Sequence, residues 1–542
     1  MKENPSKLEI NSNLYEAGLN IVKGRKRRGV ESRLEAIRNV SKWAFFHHPG
    51  RFADGALENP ALEVGLKLED RGKNSAVNFP LRKRRATRTL HLATQLYNAG
   101  GNSRVLVKWV ERDTSADHVI VLTDQREAVP DFLQEIITGS GNYCVCLPIN
   151  ENIENRAAAV RRISHSCDRV ILYTDPHDVV PVVAFAKEDG PPVAMFNHAH
   201  FWFSLGSTVS DIIINTLEYF RKISERYRFA RSTALLTGPL GLLPINGAII
   251  DKEAARRALS LPESATVLMS IANEKYFRPM EGYDFFHTAS TILSRLPDTY
   301  LMIVGVEKGS PLVPDDLRSN PHLLLMGKVQ NPIVHYQASD ICLESFPFPS
   351  LSALAEAVAY GEAYPVPVYG AEENILRVQQ TPVLTFPYRP PDEEAYVDYV
   401  TSLTRRKDQI RVEAGKMRIK MEEYDRAMED HFRSLNSLID SLRHSPGEIP
   451  VAGRSDSNDC RTLAEIDPSS IGEKIDDLFP FIRSTFHQVG AALKGYQACG
   501  TGTLRMLNRM RLGLSRRAVR FFRKLRRVWI ATSPEGGHTL CD

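Results

Sequence analysis

Cysteine is scarce and scattered in this chain, with seven among 542 residues. The two that lie closest together, Cys144 and Cys146, have no second pair at metal-ligand spacing. Neither a zinc site nor a disulfide framework is therefore expected, and a reducing compartment is favoured. Runs of about 18 apolar residues are also missing, so no membrane-spanning helix is expected. Residues 1–24 are polar and lack the apolar core of a signal peptide, which favours a cytoplasmic protein.

Acidic residues are missing from one long stretch, between Asp477 and Glu535. The formal net charge is only +4, yet ten Lys and Arg residues lie between Arg505 and Arg527, interleaved with bulky apolar side chains. Such a segment, 505–530, is typical of a peripheral anchor on an anionic membrane surface. Nucleic acid is a less favoured partner because no RNA- or DNA-binding module accompanies the segment. An arm that contacts an acidic partner, or plain disorder, is the third alternative.

The length of the chain predicts more than one domain. Helical patterns fill the beginning, and from residue 86 short apolar strands alternate with helices, which predicts α/β architecture with parallel sheets covered on both faces. We predict this division: an N-terminal helical segment (1–85), a first Rossmann-like domain (86–240), a second Rossmann-like domain (241–400), a C-terminal helix (401–443), a linker (444–475) and a basic, helical amphipathic tail (476–542). Gly238–Pro244 would be the crossing between the two Rossmann-like domains.

The pattern in the first of these domains predicts individual elements. Strands are predicted at Val119–Thr123, Tyr143–Leu147, Val170–Tyr173 and Val193–Asn197, and helices at Thr89–Tyr97, Arg104–Val110, Pro130–Ile137, Asn155–Ser164, Val179–Glu188 and Val209–Arg231. The later helix at 401–443 carries an apolar stripe of Ile410, Met417, Met421 and Tyr424. We expect this stripe to pack on the body of the protein rather than to form a coiled coil.

Residues Ser339–Gly361 read as a strand, a loop and a helix. Ile341–Leu343 is a short apolar run, prolines interrupt the loop, and Ser350 or Ser352 can cap a helix that Gly361 ends. A strand that feeds a capped helix directs free backbone N–H groups at the loop, which suits a bound phosphate. Glu356 would lie about one turn inside the helix, within reach of a ribose hydroxyl. The alternative is an ordinary structural unit with a surface carboxylate.

Lys275 and Arg278 lie in Asn273–Pro279, directly after the first strand of the second domain. Both cations could pair with a diphosphate. The alternative is that they are solvated surface charges. Because the capped helix would lie across the cleft expected between the two domains, we favour a diphosphate-binding site that includes Asn273, which opens the loop.

Histidines occur close together at two places. His47 and His48 follow a predicted helix, and a loop role is favoured over metal binding because adjacent helical residues point in different directions. His198 and His200 follow a predicted strand, at the end where ligands bind to parallel sheets. His198 could be a general base there or could simply fill a loop. A metal site is disfavoured at this position because no carboxylate or cysteine partner is apparent.

The strongest likeness to a known family lies in three motifs: Gly327-Lys-Val-Gln-Asn331, then Tyr336–Phe348, which ends in Glu-Ser-Phe-Pro-Phe, and then Glu356-Ala-Val-Ala-Tyr-Gly361. With these motifs the chain resembles, over about residues 86–400, glycosyltransferases of the GT-B fold. That family binds nucleotide-sugar donors between two Rossmann-like domains, so the resemblance implies that residues 86–240 form the acceptor-side domain and residues 241–400 the donor-side domain. Eleven residues separate Glu344 from Glu356, a spacing more similar to the O-linked N-acetylglucosaminyltransferase branch than to group 1 glycosyltransferases.

The resemblance implies a role for each matching residue. Glu356 would contact the donor ribose, Ser350 and Ser352 the diphosphate, and Lys275 a phosphate. The backbone of Val329 would contact the base. Gly100 and Gly101 would form the loop that faces the donor, and His198 would lie near the reacting centre. The resemblance implies no metal and no cofactor besides the nucleotide-diphosphate sugar, because cations and a helix terminus can stabilise the departing diphosphate.

The resemblance therefore implies a glycosyltransferase that moves a hexose from a nucleotide-diphosphate sugar to a glycan, lipid-linked or protein acceptor. The alternative is a catalytically degenerate GT-B scaffold that acts as a binding or assembly protein at a membrane surface. Pro349-Ser-Leu351 motivates this alternative, because it replaces the glycines that allow close backbone approach to a phosphate.

Overall fold

A computed structural model describes most of the chain. The described residues are 5–25, 29–69, 87–97, 101–130, 142–237, 250–329, 331–350, 352–370, 384, 386, 388–467, 469 and 471–478. Several predicted features lie outside these ranges: the crossing at Gly238–Pro244, residues 131–137 of one predicted helix, Gly100 and the basic segment 505–530. The chain divides into two compact units, a smaller one of Met1–Arg51 with Val451–Asp542 and a larger one of Phe52–Pro450.

The larger unit holds two parallel sheets. The strands of the first sheet are β1 (Thr87–Ala93), β2 (Ala116–Leu122), β3 (Tyr143–Cys146), β4 (Arg169–Tyr173), β5 (Val193–Phe196), β6 (Ile212–Asn215) and β7 (Thr233–Leu235). Those of the second sheet are β8 (Thr266–Ile271), β9 (Thr299–Val304), β10 (Leu323–Leu325), β11 (Ile341–Leu343) and β12 (Tyr364–Val366). Every pairing between these twelve described strands is parallel.

The helices alternate with these strands and continue beyond them. They are α1 (Lys7–Arg25), α2 (Val30–Phe46), α3 (Gly55–Leu66), α4 (Gly101–Arg112), α5 (Ile153–Ser164), α6 (Val180–Ala184), α7 (Glu218–Tyr227), α8 (Lys252–Ala258), α9 (Phe285–Arg295), α10 (Asp315–Arg318), α11 (Ile333–Ala338), α12 (Ala353–Gly361), α13 (Glu393–Thr404), α14 (Lys407–Asp440), α15 (Asn458–Ile466) and α16 (Ile471–Leu478). Within the described ranges, no helix is both long and apolar enough to cross a membrane.

Both sheets have the strand order of a Rossmann fold. The first runs β3-β2-β1-β4-β5-β6-β7 and the second β10-β9-β8-β11-β12. In each, the first strand of the sheet lies beside the fourth, and the chain winds outward in both directions from that pair. The predicted fold class, α/β with two Rossmann-like domains, is therefore confirmed, and the N-terminal segment is helical as predicted.

Two elements differ from their prediction. Residues Thr89–Tyr97 were expected to be helical, but Thr87–Ala93 forms the central strand β1, paired with β2 on one side and β4 on the other. Within Val209–Arg231, also expected to be one helix, Ile212–Asn215 is β6 and the helix begins only at Glu218. In both cases β-branched side chains favour a strand once neighbouring strands can pair with it.

The long helix α14 joins the cores of the two Rossmann-like domains. Met417 and Met421, near its middle, pack in the core of the second sheet. Met428 and Phe432, further along, pack in the core of the first. The prediction that this helix packs on the body is thus confirmed, although Tyr424, placed on the buried stripe, is 37% exposed.

The smaller unit contains α1, α2, α15 and α16. Gly18 of α1 allows close approach of α2, since a Cβ there would lie 2.9 Å from Val40 Cγ1. At the end of α2, His47 Nδ1 lies 2.7 Å from Asp467 Oδ2, and His47 Nε2 lies 3.0 Å from Asp477 Oδ2. His47 therefore connects α2 to the two C-terminal helices through carboxylates.

Residues 444–475 were predicted to be a linker, but this segment contains α15 and the start of α16. Ser457 caps α15, with its Oγ accepting a hydrogen bond from Cys460 N at 3.4 Å. Polar composition suggested a linker, whereas the buried side chains Leu463 and Ile466 give this short segment an apolar helical face.

Candidate functional site

The second sheet has a topological switch point between β8 and β11. These strands are neighbours, and the sheet continues from β8 to β9 on one side and from β11 to β12 on the other. Ligands of open parallel sheets bind at the carboxyl ends of strands beside such a point. Two loops start there, residues 272–284 after β8 and residues 344–350 after β11. Most of the predicted donor-binding residues lie in these loops or at the start of α12.

Two glycines let the neighbouring strand ends pack tightly. Gly305 has φ +100°, and a Cβ there would lie 2.0 Å from the carbonyl oxygen of Ala272. Its N–H donates to the oxygen of Gly327 at 2.7 Å. Gly327 has φ +62°, and a Cβ there would lie 2.8 Å from the Glu307 carboxylate. Val329, the predicted contact of the base, follows this junction and packs half-buried against the core of the second sheet.

Lys275 lies in a 3-10 turn, Glu274–Phe277, that directly follows β8. Asn273 caps the turn, because its Oδ1 accepts a hydrogen bond from Lys275 N at 3.2 Å. The Lys275 side chain is exposed, and its Nζ lies 5.6 Å from the ring centre of Trp202 and 5.5 Å from that of Tyr276. These cation–π contacts hold the ammonium group near the carboxyl end of β8. Arg278, half-buried, follows at the end of the turn.

Glu356 lies in the first turn of α12 and is 9% exposed. Its Oε1 accepts hydrogen bonds from Ser352 Oγ at 3.0 Å and from Arg104 Nη1 at 3.3 Å. Its Oε2 accepts one from Tyr336 OH at 3.1 Å. Arg104 belongs to α4 of the first domain, whereas the other two donors belong to the second. The carboxylate predicted to contact the donor ribose therefore joins the two domains.

Ser350 is engaged by a carboxylate of its own loop. Its backbone N donates to Glu344 Oε1 at 2.9 Å and its hydroxyl donates to the same oxygen at 2.8 Å. Burial raises the pKa of Glu344, and the hydrogen bonds from Ser350 and Ser345 oppose that rise. A diphosphate at Ser350 would have to compete with this buried carboxyl group. Ser352, by contrast, stands at the N-cap position of α12 beside Glu356.

His198 follows β5 at the carboxyl edge of the first sheet and is half-buried. Burial lowers the pKa of its imidazole to about 4, and the nearby Arg228 guanidinium acts in the same direction. A hydrogen bond with the backbone of Phe196 opposes this lowering of the pKa. The ring is neutral near pH 7, which is the state that a general base requires.

His200 has a different environment. Its φ is +33°, and its ring stacks on Phe220 with 4.3 Å between the ring centres. Burial lowers the pKa of His200 to about 3. Packing thus fixes this side chain, and the sequence hypothesis of a reactive histidine in this loop rests on His198.

Aromatic side chains connect the loops of the two domains. Phe348, in the loop after β11, lies 5.3 Å from Phe201 of the first domain and 4.9 Å from Tyr276, between ring centres. Trp202, next to Phe201, is the residue over which Lys275 lies. The loop that carries His198 and the loop that carries Lys275 are therefore in contact with each other.

The predicted Gly-Gly loop leads into α4, which begins at Gly101. Asn102 Nδ2 donates to the carbonyl oxygen of Tyr173, the last residue of β4, at 2.6 Å. This contact places the start of α4 at the switch point of the first sheet, between β1 and β4. Three turns of helix then end at Arg112, and Arg104 in the first turn reaches Glu356.

The sequence interpretation overlooked three functional candidates. Arg104 lies three residues after Gly101, and Glu344 lies within the motif Tyr336–Phe348, yet neither was assigned a role. The position of Glu344 at the end of an apolar strand was a usable signal for the carboxyl edge of a sheet. The sequence around Arg104 and Tyr336 does not indicate a role for either residue, because only their hydrogen bonds to Glu356 make them candidates.

No protein-family model matches this chain, and no curated protein matches it. Among solved structures it is similar to a mutant of the Thermobaculum terrenum O-GlcNAc transferase, at 14% identity over 84% of this chain and 83% of that chain, with a TM-score of 0.47. It is similar to Anabaena HepE in complex with UDP and glucose, at 12% identity over 65% of this chain and 100% of that chain, with a TM-score of 0.47.

A third similar structure is the UDP-GlcNAc 2-epimerase of Neisseria meningitidis bound to UDP-GlcNAc. The identity is 13% over 65% of this chain and 99% of that chain, with a TM-score of 0.42. The two strand orders give the present chain a GT-B-like fold, two Rossmann-like domains in tandem. The strand orders alone define this fold, since all three TM-scores lie below 0.5.

Proposed function

We propose that this protein is a glycosyltransferase that transfers a hexose from a nucleoside-diphosphate sugar to a glycan, lipid-linked or protein acceptor. The observation that carries the proposal is the placement of Lys275 and Glu356 on the two sides of the switch point of the second sheet: Lys275 lies in the loop after β8, and Glu356 lies in the first turn of α12, which follows β11. A cation suits a diphosphate and a carboxylate suits ribose hydroxyls. Both groups lie where such a fold binds its ligand.

In the proposed reaction, the bond between the anomeric carbon and the diphosphate oxygen breaks, and an acceptor oxygen bonds to that carbon. Negative charge builds on the departing diphosphate. Lys275 and Arg278 would stabilise this charge, together with the N-terminus of α12. His198 would take the proton of the acceptor hydroxyl, since its imidazole is neutral near pH 7.

Calorimetric titration with a panel of nucleoside diphosphates tests the donor site. Glu356→Gln keeps the size of the side chain and removes its charge, and we expect it to weaken binding of the matching nucleotide about tenfold or more. Glu362→Gln is the matched control. Glu362 lies at the opposite end of α12, where it pairs with Arg418 at 2.7 Å. Its substitution should leave nucleotide affinity within about twofold.

Release of the nucleoside diphosphate from a panel of donor sugars then tests the chemistry. We expect slow turnover with one donor even when water is the acceptor. If none of the nucleotides binds, or if Glu356→Gln and Glu362→Gln affect binding equally, the proposed donor site is wrong.

One observation favours a second candidate, a binding scaffold without catalysis. Ser350 donates two hydrogen bonds to Glu344, and Glu356 accepts hydrogen bonds from three side chains of the protein. A site whose polar groups are bonded to each other could keep the fold without turning over a donor. Nucleotide binding without any turnover of donor sugars would support this candidate over the transferase.

A further inference from the structure

We propose that Arg228 and Glu58 are positioning residues that hold the β5–β6 loop (residues 197–211), so that His198 and Trp202 stay at the carboxyl edge of the first sheet. This inference rests on the proposed function, because it concerns the loop that would carry the general base. Neither residue lies near the sequence motifs of the donor site. Arg228 follows α7 and Glu58 lies in α3, so the residues that hold the loop belong to two elements outside it.

Arg228 is fully buried and binds the first half of the loop. Its Nη2 donates to the carbonyl oxygens of Trp202 at 2.7 Å and of His200 at 3.3 Å. Its Nη1 donates to the hydroxyl of Ser204 and, at 2.9 Å, to the carbonyl oxygen of Phe52. One planar guanidinium therefore fixes three alternate loop residues, which a smaller or more mobile cation could not match.

Glu58 is fully buried and binds the second half of the loop. Its Oε2 accepts hydrogen bonds from Gly206 N and Thr208 N, each at 3.1 Å, and from Thr208 Oγ1 at 3.0 Å. Burial raises the pKa of Glu58 to about 7, and the charge of Arg228 opposes that rise. The two charges thus partly compensate each other inside the domain, while each binds its own half of the loop.

The loop has a local geometry that needs such support. His200 has φ +33°, in the left-handed region that disfavours a residue with a side chain. Arg228 binds the carbonyl oxygen of this same residue, and the ring of Phe220 stacks on its imidazole. Strained conformations of this kind persist where the surroundings over-determine them. Two residues on, Trp202 contacts Lys275 of the second domain, so the strained turn leads directly into the proposed site.

The chain offers a matched control in Arg161. This side chain is also buried, and it donates to four backbone carbonyls, those of Gly65, Leu68, Val183 and Ala184. None of these acceptors belongs to the β5–β6 loop. Arg161→Met therefore removes a buried guanidinium with a similar set of bonds from the same domain, and any effect shared with Arg228→Met reports general destabilisation.

Fluorine NMR of full-length protein labelled with fluorotryptophan tests the positioning role without any substrate. The sequence has four tryptophans, and the resonance of Trp202 is assigned by its absence in Trp202→Phe. We expect Arg228→Met to shift or broaden the Trp202 resonance and to leave that of Trp109 in place. Arg161→Met should leave Trp202 unchanged. An unchanged Trp202 resonance in Arg228→Met, or equal changes in both variants, would overturn the proposal.

Arg228→Lys covers the case in which Arg228→Met fails to fold. It keeps the charge with fewer donors, so we expect a change at Trp202 alone, smaller than in Arg228→Met, and an unchanged Trp202 would again overturn the proposal. In the kinetic assay, Arg228→Lys should lower kcat for donor turnover about tenfold while the nucleotide Kd stays within about twofold. If the wild type binds no nucleotide, the proposed function is wrong. The NMR result would still test the positioning role, because it is measured without any nucleotide.

Discussion

Arg104 and Glu356 form an ion pair between the two Rossmann-like domains, with 3.3 Å between Arg104 Nη1 and Glu356 Oε1. They are separated by 252 residues in sequence, and both lie in the first turn of a helix that follows a central strand. The contact brings together the switch points of the two sheets. It also means that the carboxylate proposed to bind the donor ribose is shared with the first domain.

Arg104→Met should raise the affinity for the matching nucleoside diphosphate by up to about fivefold. The reason is that Oε1 of Glu356 is released from a partly buried ion pair, which contributes about 1 kcal/mol. Arg112→Met removes a cation from the other end of α4, where Arg112 pairs with Asp425, and it controls for the loss of charge. Weaker binding in Arg104→Met alone would show that Arg104 contacts the nucleotide instead.

Lys275→Met should lower affinity for nucleoside diphosphates at least tenfold, because a charge-assisted bond to phosphate contributes about 1.5–3 kcal/mol. Affinity for the corresponding nucleoside, which has no phosphate, should stay within about twofold. Titration of both ligands measures the difference. Lys308→Met, an exposed lysine of the same domain, is the control. If Lys275→Met loses affinity for the nucleotide and the nucleoside equally, Lys275 does not act through the diphosphate.

The pH profile of donor turnover should stay level through the range where histidine ordinarily titrates. Burial lowers the pKa of His198 to about 4, so the neutral base is present above that value and is lost only as the pH falls through it. His198→Gln should lower kcat about a hundredfold or more, whereas the exposed His287 can be replaced by Gln without effect. A fall in kcat centred near pH 6.5 that His198→Gln abolishes would contradict this account.

Stability should report the buried carboxyl group of Glu58. Burial raises its pKa from 4.5 to about 7, with Arg228 opposing the rise, and Arg231 is a second cation near it. The folded state therefore holds this proton more tightly than the unfolded state, and stability is lost as the pH rises from 4.5 through 7. Relative to Glu58→Gln, the wild type should lose about 3 kcal/mol over that window.

Thermal unfolding of both proteins at several pH values measures this loss. The difference in Tm between wild type and Glu58→Gln should decrease from pH 4.5 to pH 8, and that between wild type and Glu362→Gln should not change in step with it. A constant difference for Glu58→Gln would mean that Glu58 is ionised in the folded protein throughout.

The basic segment 505–530 remains a prediction from composition, since it lies outside the described residues. Flotation with vesicles that contain anionic lipid should recover the full chain, and removal of residues 481–542 should abolish recovery, because about 1 kcal/mol of binding comes from each basic residue near such a surface. A higher salt concentration should weaken the binding of the full chain to these vesicles. Equal recovery of both proteins, or recovery with neutral vesicles, would argue against an electrostatic anchor.

Local patterns predicted the second domain well. The strand at Ile341–Leu343 has the predicted bounds, and the helix after it ends at Gly361 as predicted, because short apolar runs bounded by loop residues leave few alternatives. The pattern was wrong at β1, where Thr87–Ala93 mixes threonines with leucines and a histidine. That segment forms a strand because β2 and β4 pair with it on both sides, which no local window contains.

The site was predictable only residue by residue. Lys275 and Glu356 could be placed at strand ends from the sequence, but their partners could not. The hydrogen bonds of Ser350 to Glu344 depend on the turn of one loop, and the pairing of Arg104 with Glu356 depends on the approach of two domains. The positioning role of Arg228 and Glu58 depends on their burial, and the sequence does not show which charged residues become buried when the first domain folds.

A crystal structure of the full chain with the best-binding nucleoside-diphosphate sugar would show where the donor binds. We expect the nucleotide at the carboxyl ends of β8 and β11, with its ribose hydroxyls on Glu356 and its diphosphate within hydrogen-bond distance of Lys275. A nucleotide bound away from these two residues, or a site that stays empty at saturating concentration, would contradict the proposed donor site.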